Sequence, residues 1–151
     1  AQGVEESHAL TVAAAVEVGS SHPLAQAILR RAEGLTTARA ENFKNIEGMG
    51  TTAVVAGAEI MLGNRRLMDN ARIDVGPLAN EVERLQGAGR TVVHLARNGT
   101  LMALFAIADK PRSTATDTIK SLQSRGVQVA MLTGDNRGTA ERIGSELGID
   151  I

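Results

Sequence analysis

The dipeptide Asn98-Gly99 constrains this chain more than any other two residues. It joins two apolar runs, Thr91 to Arg97 and Thr100 to Ile107. A two-residue connection between strands needs positive φ at both central positions, and Asn-Gly meets that need better than almost any other pair. A hairpin closed this way makes its strands antiparallel, so residues 91 to 107 belong to an antiparallel sheet. Three shorter strand patterns precede it: Glu41 to Ile46, Thr51 to Ala56 and Glu59 to Leu62, with Ala56-Gly57-Ala58 as the turn between the last two.

Helical patterns surround these strands. Residues 5 to 18 are Ala-rich and open with acids, as a helix start prefers. After Gly19-Ser20-Ser21, Pro23 suits the first turn of a second helix, which runs to about Glu33 and closes at Gly34. Gly63-Asn64 opens a short helix through Met68, and Leu78, Val82 and Leu85 mark an amphipathic helix from about Gly76 to Gln86. Asn70 to Gly76 reads as an ordinary loose connection. Residues 1–107 are therefore expected to form an α+β domain, an antiparallel sheet flanked by helices.

Residues 108–151 read differently. Arg112 to Arg125 is a helix, Val127 to Leu132 a short apolar strand with no local partner, and Thr139 to Leu147 a second helix. Helix, strand, loop and helix in that order are typical of a parallel α/β sheet, where ligands sit at the carboxyl ends of strands. The piece is too small for a complete domain of that kind, so the chain is expected to end within one. The fold class is thus α/β: an α+β domain followed by a partial α/β piece.

Composition removes several functions. Two Phe and no Trp or Tyr in 151 residues leave no aromatic cage or stacking platform. Phe43 and Phe105 both lie in strand patterns and are expected in the core. A net charge of −1 gives no basic face for nucleic acid. The absence of cysteine excludes disulfides, a Cys-based zinc site and a thiol nucleophile. No apolar run reaches the roughly 18 to 20 residues that span a bilayer. No His, Asp or Glu pair has metal-ligand spacing, and His8 and His94 carry no functional reading.

Four short segments could carry chemistry. Ser20-Ser21-His22-Pro23 lies where helix N–H groups are free to hold an anion, but spacing alone favours an N-cap turn with a solvated His22. Gly48-Met49-Gly50 lets a ligand approach the backbone, or is simply a turn or bulge. Gly63-Asn64-Arg65-Arg66 offers an amide and two cations, or only a helix start. Thr133-Gly134-Asp135-Asn136 could receive a phosphoryl group on a hydroxyl and backbone N–H groups, or cap the next helix.

In order, these segments resemble the cytoplasmic ATP-binding part of a heavy-metal P-type ATPase. The runs that carry the resemblance are Glu17-Val18-Gly19-Ser20-Ser21-His22-Pro23-Leu24, Gly48-Met49-Gly50, Gly63-Asn64-Arg65-Arg66-Leu67-Met68 and Met131-Leu132-Thr133-Gly134-Asp135-Asn136. The Gly-Asn-Arg-Arg-Leu-Met run is most like copper(I) exporters. The resemblance implies a nucleotide-binding domain over residues 1–107 and part of a haloacid-dehalogenase-like phosphorylation domain over 108–151.

It further implies that Glu17 bonds the adenine amino edge and that His22 orients the nucleotide. Gly48 and Gly50 would lie against base and sugar, and Gly63 and Asn64 near ribose and phosphates, with Arg65 a phosphate neighbour. Thr133 and Asp135 would surround the transferred phosphoryl, and Asp109 and Arg112 match a further family segment. ATP, with Mg²⁺ on the nucleotide, would be the ligand. The phosphorylated Asp, the later Mg²⁺-holding segment and the membrane metal site are expected outside this chain. The piece would therefore bind ATP on the cytoplasmic side of a membrane as a monomer, partnered by the remaining phosphorylation, actuator and membrane domains. The same role in a zinc, cadmium, lead or cobalt pump is the alternative. A soluble haloacid-dehalogenase-type hydrolase is another, but no Asp here stands in the Asp-x-Asp or Asp-Lys-Thr-Gly setting that it needs.

Overall fold

The structure, a computed structural model, describes residues 4–108, 114–132 and 137–149. It divides into two units, one drawn from Ala1–Asn80 and Val92–Ile107, the other from Glu81–Thr91 and Ala108–Ile151.

The first unit opens with α1 (Glu6–Glu17) and α2 (Pro23–Arg31). The strands follow: β1 (Ala40–Ile46), β2 (Gly50–Val55) and β3 (Ala58–Gly63). After α3 (Arg65–Asn70) and a 3₁₀ turn at Gly76–Leu78, the chain passes through α4 (Ala79–Gly87), most of which belongs to the second unit, before β4 (Thr91–Arg97) and β5 (Thr100–Ile107). The five strands lie side by side in chain order, a meander that tight turns can build without crossovers. The Asn98-Gly99 turn has φ of 48° and 77°, as the sequence predicts. Asn98 also ties the turn to β3: its Oδ1 accepts from the Glu59 N–H at 2.9 Å, and its own N–H donates to the Glu59 carbonyl at 2.8 Å.

Two apolar clusters cover opposite faces of the sheet. On one, Leu10, Ala13, Val16 and Ile28 of α1 and α2 meet Ala53, Val55, Ile60, Leu62, Val93 and Leu95. The small alanines let α1 lie close to the strands. On the other, Leu67 and Met68 of α3 meet Ile73, Val75, Ala96 and Leu101. Strand β4, flanked by β3 and β5, is covered on both faces, so its residues from Val92 to Ala96 are all buried. Asn70 to Gly76, read as a loose connection, contributes Ile73 and Val75 to this second cluster.

Phe43 departs from expectation. It is 50% exposed, on edge strand β1. The β1–β2 register shifts between Glu41 and Lys44, and Asn42 takes φ of 52°. Such a bulge breaks the alternation that would have turned Phe43 inward. Phe105 packs against the first cluster as anticipated.

In the second unit, α5 (Ala115–Ser124) and α6 (Arg137–Leu147) pack through a small cluster of Ile119, Leu147 and Ile149 with Val129, Met131 and Ile143 around it. The strand anticipated from Val127 to Leu132 is not formed. A strand exists only where a neighbour takes its N–H and C=O groups, and among the described residues none does. Val127 and Leu132 are left exposed.

Candidate functional site

The predicted residues converge where the C-terminus of α1 meets the beginning of β2 and the end of β3. Glu17, the last residue of α1, is only 8% exposed. Its position is unfavourable for a carboxylate, because the free carbonyls at a helix C-terminus carry partial negative charge. One hydrogen bond within the described residues reaches it: the Thr51 hydroxyl donates to Glu17 Oε1 at 3.3 Å. Glu17 Oε2 takes no hydrogen bond among the described residues. An ionised carboxylate can accept about four hydrogen bonds, so this one is under-satisfied and chemically suited to an N–H donor from a ligand.

A bonded turn leads from Glu17 to His22. Ser20 N–H donates to the Glu17 carbonyl at 2.9 Å, the His22 N–H to Ser20 Oγ at 3.4 Å, and the Gln26 amide to the Ser20 carbonyl at 2.7 Å. His22 is the N-cap of α2: its Nδ1 accepts from the Leu24 N–H at 3.2 Å, with Pro23 in the first helical position. The N-cap reading of this segment is the one the structure shows. Because Nδ1 is the acceptor, the neutral ring carries its proton on Nε2, leaving an exposed donor that makes no bond among the described residues.

The two glycine segments form one assembly. Gly50 pairs with Gly63 in the β2–β3 ladder. Asn64 donates from Nδ2 to the Gly48 carbonyl at 2.9 Å and from its backbone to the Met49 carbonyl at 2.8 Å. Its Oδ1 accepts from the Leu67 N–H at 3.2 Å, capping α3. Asn64 is thus a clamp that holds the Gly48-Met49-Gly50 turn against the start of α3. The space beside the Gly48 Cα is open, whereas that beside Gly50 and Gly63 is filled by the neighbouring strand. Close approach of a ligand to backbone is therefore available at Gly48, while Gly50 and Gly63 serve strand packing. Arg65 pairs with Asp69 at 2.7 Å on the exposed face of α3.

Glu17, Gly48, Gly50, Gly63 and Asn64 are linked by these contacts, and His22 joins them through its turn. Thr133, Asp135, Asp109 and Arg112 lie outside the described residues. Among the described residues no group of three or more His, Cys, Asp or Glu is placed to hold a metal ion.

Two residues were not singled out from sequence. Thr51 lies on the inward face of β2 with Ala53 and Val55. A hydroxyl in the inward phase of an otherwise apolar alternation was the available signal. His94 stands opposite Gly63 in the β3–β4 ladder and is 1% exposed; neither ring nitrogen meets a partner in good hydrogen-bond geometry, although the Gly63 backbone lies near enough to favour the charged ring. Burial holds its pKa below the ordinary histidine value. The Gly63 backbone and Asp69 oppose that shift, and Arg65 adds to it. No sequence pattern distinguishes such a histidine from one facing solvent.

Residues 1–151 match, end to end, the hydrolase family described as haloacid dehalogenase-like hydrolase. The chain belongs to that family. Among haloacid dehalogenase-like proteins it is similar to copper-transporting ATPase 1 of Rhizobium meliloti (strain 1021), at 38% identity over 99% of this chain and 18% of the relative. The copper-exporting P-type ATPase of Legionella pneumophila is 39% identical over 95% of this chain and 20% of its own length. A solved zinc-transporting PIB-type ATPase in its E2.Pi state superposes with a TM-score of 0.75, at 37% identity, over 99% of this chain and 24% of that one. The resemblance to heavy-metal P-type ATPases thus holds across nearly the whole chain, and the chain spans about a fifth of the length of the curated relatives it matches. No described helix is long and apolar enough to cross a membrane.

Proposed function

We propose that this chain is the ATP-holding cytoplasmic part of a copper(I)-translocating P-type ATPase. Residues 1–107 act as its nucleotide-binding domain and 108–151 as part of its phosphorylation domain. The observation that carries the reading is the under-satisfied Glu17 carboxylate beside the Gly48-Met49-Gly50 turn. In this reading Glu17 accepts from the adenine amino group, and the His22 Nε2–H donates to the nucleotide. Gly48 lets it lie against the backbone, and Asn64 keeps that turn in shape. A neutral base can be held this way without an aromatic platform. Mg²⁺ arrives on the phosphates of ATP, where it usually keeps much of its water shell.

The γ-phosphate would then be presented to an Asp outside this chain, and Thr133 and Asp135 would border the transferred phosphoryl. Domain closure in the whole pump couples that transfer to ion movement through membrane helices. The parent is an ATP-hydrolysing cation translocase, and the piece alone binds ATP without turning it over well. Its partners are the pump's remaining phosphorylation, actuator and membrane domains. Copper rests on the names of the curated relatives. The zinc-transporting structural relative supports the second reading, the same role with a divalent ion such as zinc in place of copper(I).

Titration of the chain with MgATP, followed by NMR and calorimetry, tests the site. The expected result is shifts at Glu17, His22, Gly48 and Gly50. ATP affinity unchanged in both Glu17→Ala and His22→Gln would falsify the assignment.

A further inference from the structure

We propose that Thr51 is a positioning residue for Glu17 and, through it, sets which purine the site accepts. This rests on the reading of Glu17 as the acceptor for an adenine amino group.

Thr51 and Glu17 are 34 positions apart in the chain, both buried, and joined by one hydrogen bond. The Thr51 hydroxyl has a single proton and two acceptors within reach, Glu17 Oε1 at 3.3 Å and the Leu62 carbonyl at 3.4 Å. The carboxylate, being charged, is the stronger acceptor. Thr51 is a rigid support for it. Its backbone pairs with Asn45 on one side and Leu62 on the other, and a β-branched side chain has few rotamers in a strand. No other donor among the described residues orients the Glu17 carboxylate.

The consequence is chemical selectivity. With Oε1 engaged by Thr51, Oε2 is the atom left to accept from a ligand. A purine bearing an exocyclic amine donates to it. A purine with a carbonyl at that position presents lone pairs to a fixed anion and is rejected. A carboxylate without its anchor can turn away from the carbonyl, so the rejection weakens. Thr51 therefore acts on the difference between the two bases and not on nucleotide binding in general.

The test is calorimetric titration of the 151-residue chain with MgATP and with inosine triphosphate, whose base carries a carbonyl where adenine has its amine. Thr51→Val removes the hydroxyl and keeps the shape. It is expected to lower the ATP-over-ITP affinity ratio by about three- to tenfold, the worth of one modest hydrogen bond. Thr51→Ser, which retains the hydroxyl, is expected to restore most of the ratio. Thr51→Ala serves the same purpose if the valine methyl is not accommodated. An unchanged ratio in the hydroxyl-free variants, or equal weakening of both nucleotides, overturns the proposal and leaves Thr51 a packing residue. Glu17→Ala separates the two levels of the argument. If it keeps the wild-type ratio, the reading of Glu17 fails and the role of Thr51 fails with it. If it abolishes the preference while Thr51→Val does not, only the role of Thr51 is lost.

Discussion

Gly50 and Gly63 face each other across the β2–β3 ladder, and each leaves the space that the other strand's backbone fills. A Cβ on Gly50 would collide with the Leu62 carbonyl and the Gly63 Cα, and one on Gly63 with the Met49 carbonyl and the Leu67 side chain. The ladder can close beside the candidate site only because both positions lack a side chain.

The glycines of this site should consequently separate in a stability measurement. Gly50→Ala forces backbone apart and places alanine at φ of 142°, and is expected to cost about 3 kcal/mol. Gly48→Ala meets open space and suffers only the strain of φ at 66°, about 1 kcal/mol. Urea unfolding of the two variants compares them directly. Equal losses would show that strand packing at Gly50 is not the limiting contact.

His94 gives the protein an acid-side sensitivity. Its folded pKa lies below the ordinary value of 6.5 because burial disfavours the imidazolium. The unfolded chain therefore binds more protons as pH falls through that region, and stability falls with it. The contribution is fully present above about pH 6.5 and is lost progressively toward the lowered folded pKa. His94→Leu should flatten this part of the stability–pH curve. It should also raise stability at neutral pH, since two buried unbonded nitrogens are removed. Parallel curves for the two chains between pH 5 and 7.5 would count against the prediction.

Ala56 is the weak point of the β2–β3 turn. It has φ of 48°, next to Gly57 at 75°, in a two-residue connection closed by the Val55–Ala58 pair. Alanine is strained there and asparagine is not, and the position is exposed. Ala56→Asn is expected to add about 0.5 to 1 kcal/mol and raise the melting temperature by a few degrees. A thermal melt followed by circular dichroism reads this, and a lower melting temperature would refute it.

Amide hydrogen exchange should separate Val127 to Leu132 from the β4–β5 hairpin. The first segment has no ladder partner among the described residues, while β4 lies between β3 and β5 and is covered on both faces. Exchange in 127–132 is expected to be faster by at least about 100-fold, as for groups that open without global unfolding. Matching protection in the two segments would mean that the extended segment has found a partner.

Much of the fold and the site was legible because it depends on neighbours in sequence. Asn98-Gly99 specifies its turn through the φ angles of two residues, and Pro23 and the His22 cap begin α2 within three positions. The extents of β4 and β5 follow directly from that turn. The residues grouped around Glu17, His22, the two glycine segments and Asn64 could be picked out as candidates, because their order along the chain is distinctive.

What the chain determines alone, then, is where helices, strands and tight turns begin and end, since these are set by interactions over a few residues. Tertiary structure decided what those elements do to one another. The bulge in β1 turned Phe43 out to solvent, and the missing neighbour left Val127 to Leu132 unpaired. It divided the glycines into one open to a ligand and two filled by strand packing. It sealed His94 behind Gly63 and brought Thr51 across 34 positions to Glu17. Contacts of that kind depend on strand register and on which face a side chain takes, and register is fixed only when the whole sheet has found its partners.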